Sequence, residues 1–187
     1  SDPIEAGTFA LAVLSTRGEA EFRGARPAEM EIFLRKLNDT GVEWTPSEEG
    51  LRVSIDRRPS AIDFVTLPFP GFPTDLQAPT MAYLATAEGT SIITENVFEA
   101  RFMHVDELVR MGADIRTEGH HAVVRGVPRL QGAPMRATDL RSGAALVIAA
   151  LGAQGQSEIY DVHHIERGYV DLVGRLQMLG ANIERRS

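Results

Sequence analysis

Hydrophobic positions fall into two kinds of run. Thr8 to Thr16, Asp75 to Glu88 and Asp139 to Gln154 are apolar around most of a helical circumference (FALAVL, APTMAYLATA, GAALVIAAL), which predicts helices packed inside a core. Other segments are one-sided. Met30, Phe33, Leu34 and Leu37, and again Tyr169, Leu172, Val173 and Leu176, recur at helical spacing and predict amphipathic helices. Short alternating or β-branched runs lie between them: EAEF, TSIITE and SEIYDV after the first kind of helix, LRVSID and HAVVRG after the second. These predict strands.

The runs repeat. LNDTGVEW, LVRMGADI and LQMLGANI place Leu four residues before Gly41, Gly112 and Gly180, which lie 71 and 68 residues apart. A second set, at Gly18, Gly89 and Gly155, keeps spacings of 71 and 66. Two landmarks with nearly one period predict three copies of a helix–strand–helix–strand–strand unit, at about 1–67, 68–132 and 133–187. Each landmark glycine reads as a helix C-cap, where a left-handed backbone is needed. The period is too long for an ankyrin-type solenoid, so one pseudo-threefold α/β domain is expected, its first helices on the axis and its sheets outside. An ordinary α/β sandwich is the alternative. PFPGFP (68–73) reads as a rigid loop, and Phe33 and Trp44 as core.

Composition narrows the chemistry. The 187 residues carry no cysteine, excluding a disulfide framework, a zinc ribbon and a cysteine nucleophile from this chain. A formal net charge of −7 argues against nucleic acid or an anionic membrane as partner. The longest apolar run, Ala144 to Ala153, is too short to span a bilayer. The opening SDPIEAGTFA lacks the charged and apolar regions of a signal peptide. A soluble, cytoplasmic protein is expected.

Candidate chemistry lies at the starts of the first helices. Asp2, Asp75 and Asp139 precede Gly18, Gly89 and Gly155 by 16, 14 and 16 residues. Each alone reads as an N-cap; together, three helix N-termini at one end of a threefold domain would favour an anion. Arg101 stands 11 residues before Gly112, where the other units have Met30 and Tyr169. A charge in a core-facing register needs a partner or a cleft. Arg141 sits in a first helical turn, where its charge opposes the helix dipole, and Arg167 enters the second helix of unit three. The guanidinium fork suits phosphate and carboxylate; ordinary salt bridges are the competing reading. His120–His121 and His163–His164 are poor chelators if strand-borne, since neighbours point to opposite faces, and no metal is expected. P-loop, GxGxxG and GxSxG patterns are absent.

GFPTDLQA (71–78), TENVFEARFMHVDELVRMGA (94–113), ATDLRSGAALV (137–147), HIERGY (164–169) and LGANIER (179–185) closely resemble the enolpyruvyl transferases, and among them the UDP-N-acetylglucosamine 1-carboxyvinyltransferases. IEAGTFALAVL (4–14) keeps the same register. The resemblance implies the inside-out barrel type of fold, with two similar domains of three βαβαββ-like units, helices inside, facing each other across a closing cleft. It implies transfer of enolpyruvate from phosphoenolpyruvate to the sugar 3-hydroxyl, without a cofactor, as a committing step of peptidoglycan synthesis. By the same resemblance Asp75 contacts the sugar hydroxyl as a base, and Val97 lines the nucleotide-sugar site. Arg101, Arg141 and Arg167 hold phosphoenolpyruvate, with Asp139 beside them.

The departures are informative. The family's cysteine-bearing loop, its N-terminal Lys-Asn pair and the sugar-facing arginines of its other half have no counterpart here. Ala100 replaces an Asn usual in that stretch, and Pro3 a common Arg. The chain therefore resembles the C-terminal domain alone, expected to be inactive without the cysteine-bearing domain in cis or trans. A non-catalytic domain binding nucleotide sugar or anions is one alternative; a fragment of the related shikimate-pathway enzyme is the other.

Overall fold

The computed structural model describes residues 2–99 and 101–187. Unit one runs α1 (Pro3–Ser15), β1 (Glu19–Arg23), a 3-10 turn (Pro27–Met30), α2 (Glu31–Asp39), β2 (Glu43–Ser47) and β3 (Gly50–Ser54). After β4 (Phe64–Val65), unit two begins with a 3-10 turn (Thr74–Leu76) and α3 (Gln77–Leu84). It continues through β5 (Thr90–Thr94), α4 (Val105–Arg110), β6 (Asp114–Glu118) and β7 (His121–Arg125). The third set comprises β8 (Pro134–Arg136), α5 (Leu140–Gly152), β9 (Glu158–Tyr160), α6 (His163–Glu166) and α7 (Leu172–Met178).

The all-round apolar helices are the central ones. α1, α3 and α5 pack against one another, and every residue of α3 is buried. Around them lie a sheet ordered β1-β3-β2, a second ordered β4-β5-β7-β6 and a third of only β8 and β9. β4–β5 and β8–β9 are parallel pairs, whereas β7 closes β5 in antiparallel register, Ile92 opposite Val123. Alternation puts Ser91 and Ile93 inside and Ile92 outside. Among the described residues no helix is long and apolar enough to cross a membrane.

Four expectations need correction. Gly41, Gly89, Gly112, Gly155 and Gly180 all adopt positive φ, but at the end of α1 Arg17 takes that conformation (φ 56°) instead of Gly18. The second helix of unit three is broken into α6 and α7. His163 and His164 lie on α6, their ring centroids 4.2 Å apart, so the strand argument does not describe that pair. Residues 181–187 follow the same Leu-x-x-x-Gly signature that precedes β2 and β6, yet form no strand. Their counterparts pair with β3 and β7, and no described strand plays that part beside β9. Backbone groups without a partner strand stay in coil. Pro3 sits at the first position of α1, where its missing N–H costs nothing. The Ala100 departure lies outside the described residues.

Candidate active site

At the start of α3 and α5 a cleft of about 470 Å³ opens, lined by Thr74, Asp75, Gln77, Ala78, Arg101, Met103, Asp139, Leu140, Arg141 and Ser142. Of the sequence candidates it brings together Asp75, Arg101, Asp139 and Arg141.

The helix-start aspartates divide into two roles. Asp2 caps α1, its carboxylate accepting from the Ile4 N–H at 2.8 Å. Asp139 caps α5: Oδ1 accepts from the Arg141 and Ser142 N–H groups, both at 2.9 Å, and Oδ2 from the Ser142 hydroxyl at 2.6 Å. Burial works against its ionised form, but the bonds from Ser142, Arg141 and Thr138 outweigh it and lower its pKa. Asp75 caps nothing. The 3-10 turn that carries it enters α3 without a side-chain cap, which leaves its carboxylate free to face the arginines.

Both arginines converge on one oxygen. Arg101 Nη1 lies 3.2 Å and Arg141 Nε 3.6 Å from Asp75 Oδ1. Arg101 occupies the position filled by core residues in the other units, and here the register opens on the cleft. Its guanidinium also lies over the Phe98 ring, 4.4 Å from the centroid. Arg141 is held from behind by Tyr169, whose phenol oxygen accepts from Nη1 at 2.7 Å. Of the two readings of these arginines, the ion pair is the one present in the structure. The lining holds two carboxylates and two guanidiniums, so it is formally neutral.

Val97 and Arg167 are not among the lining residues. Val97 lies in the turn after β5, its N–H donating to Glu95 at 3.0 Å. Arg167 is exposed at the end of α6. It is joined through Gly168 to Tyr169, and a Cβ on Gly168 would fall 2.5 Å from Leu140 of the cleft wall.

Two groups behind the cleft escaped sequence reading. Glu95, only 1% exposed, takes five hydrogen bonds from residues on both sides of the site. His104, also 1% exposed, donates through Nε2 to Met81 Sδ at 3.1 Å. Burial pushes its pKa down to about 4 against the pull of Asp139. Neither signal is local in sequence: Thr66, one partner of Glu95, lies 29 residues away.

The family model for EPSP synthase (3-phosphoshikimate 1-carboxyvinyltransferase) matches residues 1–176. The chain belongs to the EPSP synthase family. It is 52% identical over 184 residues to a UDP-N-acetylglucosamine 1-carboxyvinyltransferase of Mycolicibacterium paratuberculosis, and 49% identical over 183 residues to one of Thermotoga maritima. These alignments cover 98% of the chain but 44% of each relative; the chain spans less than half their length. Within the EPSP synthase family fold, the enolpyruvyl transferase NikO of Streptomyces tendae superposes with a TM-score of 0.87 at 28% identity, covering 98% of this chain and 44% of NikO. EPSP synthase of Acinetobacter baumannii has a TM-score of 0.62 at 16% identity, over 87% of this chain and 41% of that one, a likeness of fold alone. The expected mixed α/β architecture is that of enolpyruvyl transferases.

Proposed function

We propose that the chain is one domain, and one half, of an enzyme that moves enolpyruvate from phosphoenolpyruvate to the 3-hydroxyl of UDP-N-acetylglucosamine, a cytoplasmic step toward peptidoglycan. The observation that carries this reading is Asp75, an uncapped helix-start carboxylate bracketed by two guanidiniums. A carboxylate beside an acceptor hydroxyl suits general-base work, and guanidiniums suit a phosphate and carboxylate donor. The half-identical UDP-N-acetylglucosamine 1-carboxyvinyltransferases favour this acceptor over 3-phosphoshikimate.

Asp75 accepts the proton of the sugar hydroxyl as its oxygen bonds to C2 of phosphoenolpyruvate, and a general acid donates a proton to C3. The C2–O bond to phosphate then breaks, phosphate leaves with its electron pair and takes up the proton held by Asp75, and C3 gives its proton back to the conjugate base of that acid, forming the enol ether. Arg101, Arg141 and Arg167 hold the donor's negative charge, and Asp139 fixes the turn that carries Arg141. The neutral lining supports the half-site reading, since two paired arginines leave no surplus charge for a donor with several negative charges. The further cations, and the cysteine-bearing loop, come from the other domain in cis or trans.

The test is to mix the chain with a separately prepared cysteine-bearing half and follow phosphate release from phosphoenolpyruvate. Release that depends on UDP-N-acetylglucosamine and is lost in Asp75→Asn is expected. Release driven by shikimate 3-phosphate instead reassigns the acceptor, and a folded mixture that releases none overturns the reading.

A further inference from the structure

Glu95 is a buried acid whose donors are all neutral. Its Oε2 accepts from the Thr66 hydroxyl at 2.6 Å and from the N–H groups of Val97 and Phe98 at 3.0 and 3.3 Å. Its Oε1 accepts from the Thr74 hydroxyl at 2.7 Å and the Gln77 amide at 3.2 Å. That amide nitrogen also donates to the Arg101 carbonyl at 3.2 Å. Thr74 and Gln77 flank Asp75; Val97 and Phe98 lead to Arg101. One carboxylate therefore ties together the two chain segments that supply the base and a guanidinium of the cleft.

These bonds hold the fold, since without the acid the Thr66, Val97 and Phe98 donors would lose their partner, and they also fix how the two segments sit against each other. We infer that Glu95 is a positioning residue for the proposed transfer, setting Asp75 against the Val97–Arg101 segment so that an acceptor hydroxyl bound between them meets the carboxylate. This rests on the proposed function.

A glutamine cannot reproduce the link. The Val97 and Phe98 N–H groups are fixed, so the amide oxygen of Glu95→Gln takes the place of Oε2. Its NH2 then faces Thr74, whose hydroxyl can turn to accept, and the Gln77 NH2, which cannot accept. Gln77 must turn over, and its bond to the Arg101 carbonyl is lost. The Val97 side is left intact.

The test uses the full chain and has two arms. In the first, UDP-N-acetylglucosamine is titrated into the chain assembled with the cysteine-bearing half. Glu95→Gln is expected to weaken binding about tenfold, but to add less than about threefold when placed in Asp75→Asn, because it acts through that carboxylate. Thr66→Val loosens Glu95 from its fully buried side and is expected to repeat the pattern more weakly. Equal losses in both backgrounds, or no loss in either variant, overturn the proposal. In the second arm, amide NMR shifts of the chain alone should move at Thr74–Gln77 and Arg101 in Glu95→Gln, and hold at Val97 and Phe98. If Asp75 and Arg101 stay still, the proposal fails even where binding falls. If the wild-type assembly binds no nucleotide sugar, the functional reading falls, and the shifts alone decide whether Glu95 sets the spacing.

Discussion

The phenol of Tyr169 accepts from the Arg141 guanidinium at 2.7 Å and lies 2.9 Å from the Thr8 hydroxyl. Thr8 in turn donates to the Ile4 carbonyl at 2.8 Å, so the Tyr169 proton is directed at Thr8. A cleft arginine of unit three is thereby anchored on the first helix of unit one. Tyr169→Phe keeps the ring under Arg141, whose guanidinium carbon is 5.6 Å from the centroid, and removes the bond. We expect about 1 kcal/mol less stability in denaturant unfolding, and inorganic phosphate binding a few-fold weaker by titration. Unchanged phosphate binding would mean that Asp75 alone orients Arg141.

Asp75 is expected to have opposite effects on anion binding and on turnover. Removing its charge in Asp75→Asn frees Arg101 and Arg141 from the carboxylate that now faces them at 3.2 and 3.6 Å. Phosphate binding to the isolated chain should tighten several-fold at low salt and less so at high salt. Turnover of the assembled enzyme should fall by about 10²–10⁴, the usual worth of a general base. Tighter phosphate binding without loss of turnover would leave Asp75 as a charge balance only.

Stability should fall with acid in two overlapping stages. His104 has its pKa lowered from 6.5 to about 4 by burial. Its contribution is therefore full above pH 6.5 and is lost as pH drops toward 4, because the unfolded chain takes up the proton first. That amounts to roughly 3 kcal/mol across the window. Glu95 and Asp139 are also lowered, from 4.5 and 3.8, through the hydrogen bonds that outweigh their burial. What they contribute is present above those values and disappears below them. In His104→Leu the slope between pH 6.5 and 4 should flatten in thermal melts, while the loss through the carboxylate range remains. A slope unchanged by the substitution would place the titration elsewhere.

The burial of α1, α3 and α5 and the left-handed glycines were readable because both rest on local rules: an all-round apolar helix, and a glycine where the chain turns left-handed after a helix. Asp75, Arg101, Asp139 and Arg141 do meet at one cleft, but Asp2 and Arg167, singled out with them, are not among the cleft's lining residues. Which aspartate caps its helix and which pairs with arginines was not readable, since it depends on whether the entering turn is 3-10, as at Asp75, or extended, as at Asp139. Glu95 looked like any acid after a strand; only the tertiary structure brings Thr66, Thr74 and Gln77 to it. Tyr169 read correctly as a buried apolar position, but its hydroxyl meets Arg141, 28 residues away. The missing strand of unit three follows from pairing, which a segment's own residues do not contain.

Arg167 offers the sharpest separation between the isolated chain and the assembled enzyme. Its side chain is exposed, and among the described residues it has no ion pair or side-chain hydrogen bond. Arg141 by contrast is tied to both Asp75 and Tyr169. Arg167→Ala should therefore leave thermal stability of the chain within about 0.5 kcal/mol of wild type, and its phosphate binding unchanged. Arg141→Ala should weaken that binding. In the assembled enzyme both substitutions should reduce turnover by about 10² or more, because the closed site then surrounds the donor with every guanidinium it has. If Arg167→Ala weakens phosphate binding by the isolated chain as much as Arg141→Ala does, Arg167 already faces the cleft before the halves meet. If it leaves the assembled enzyme at wild-type rate, it holds no part of the donor.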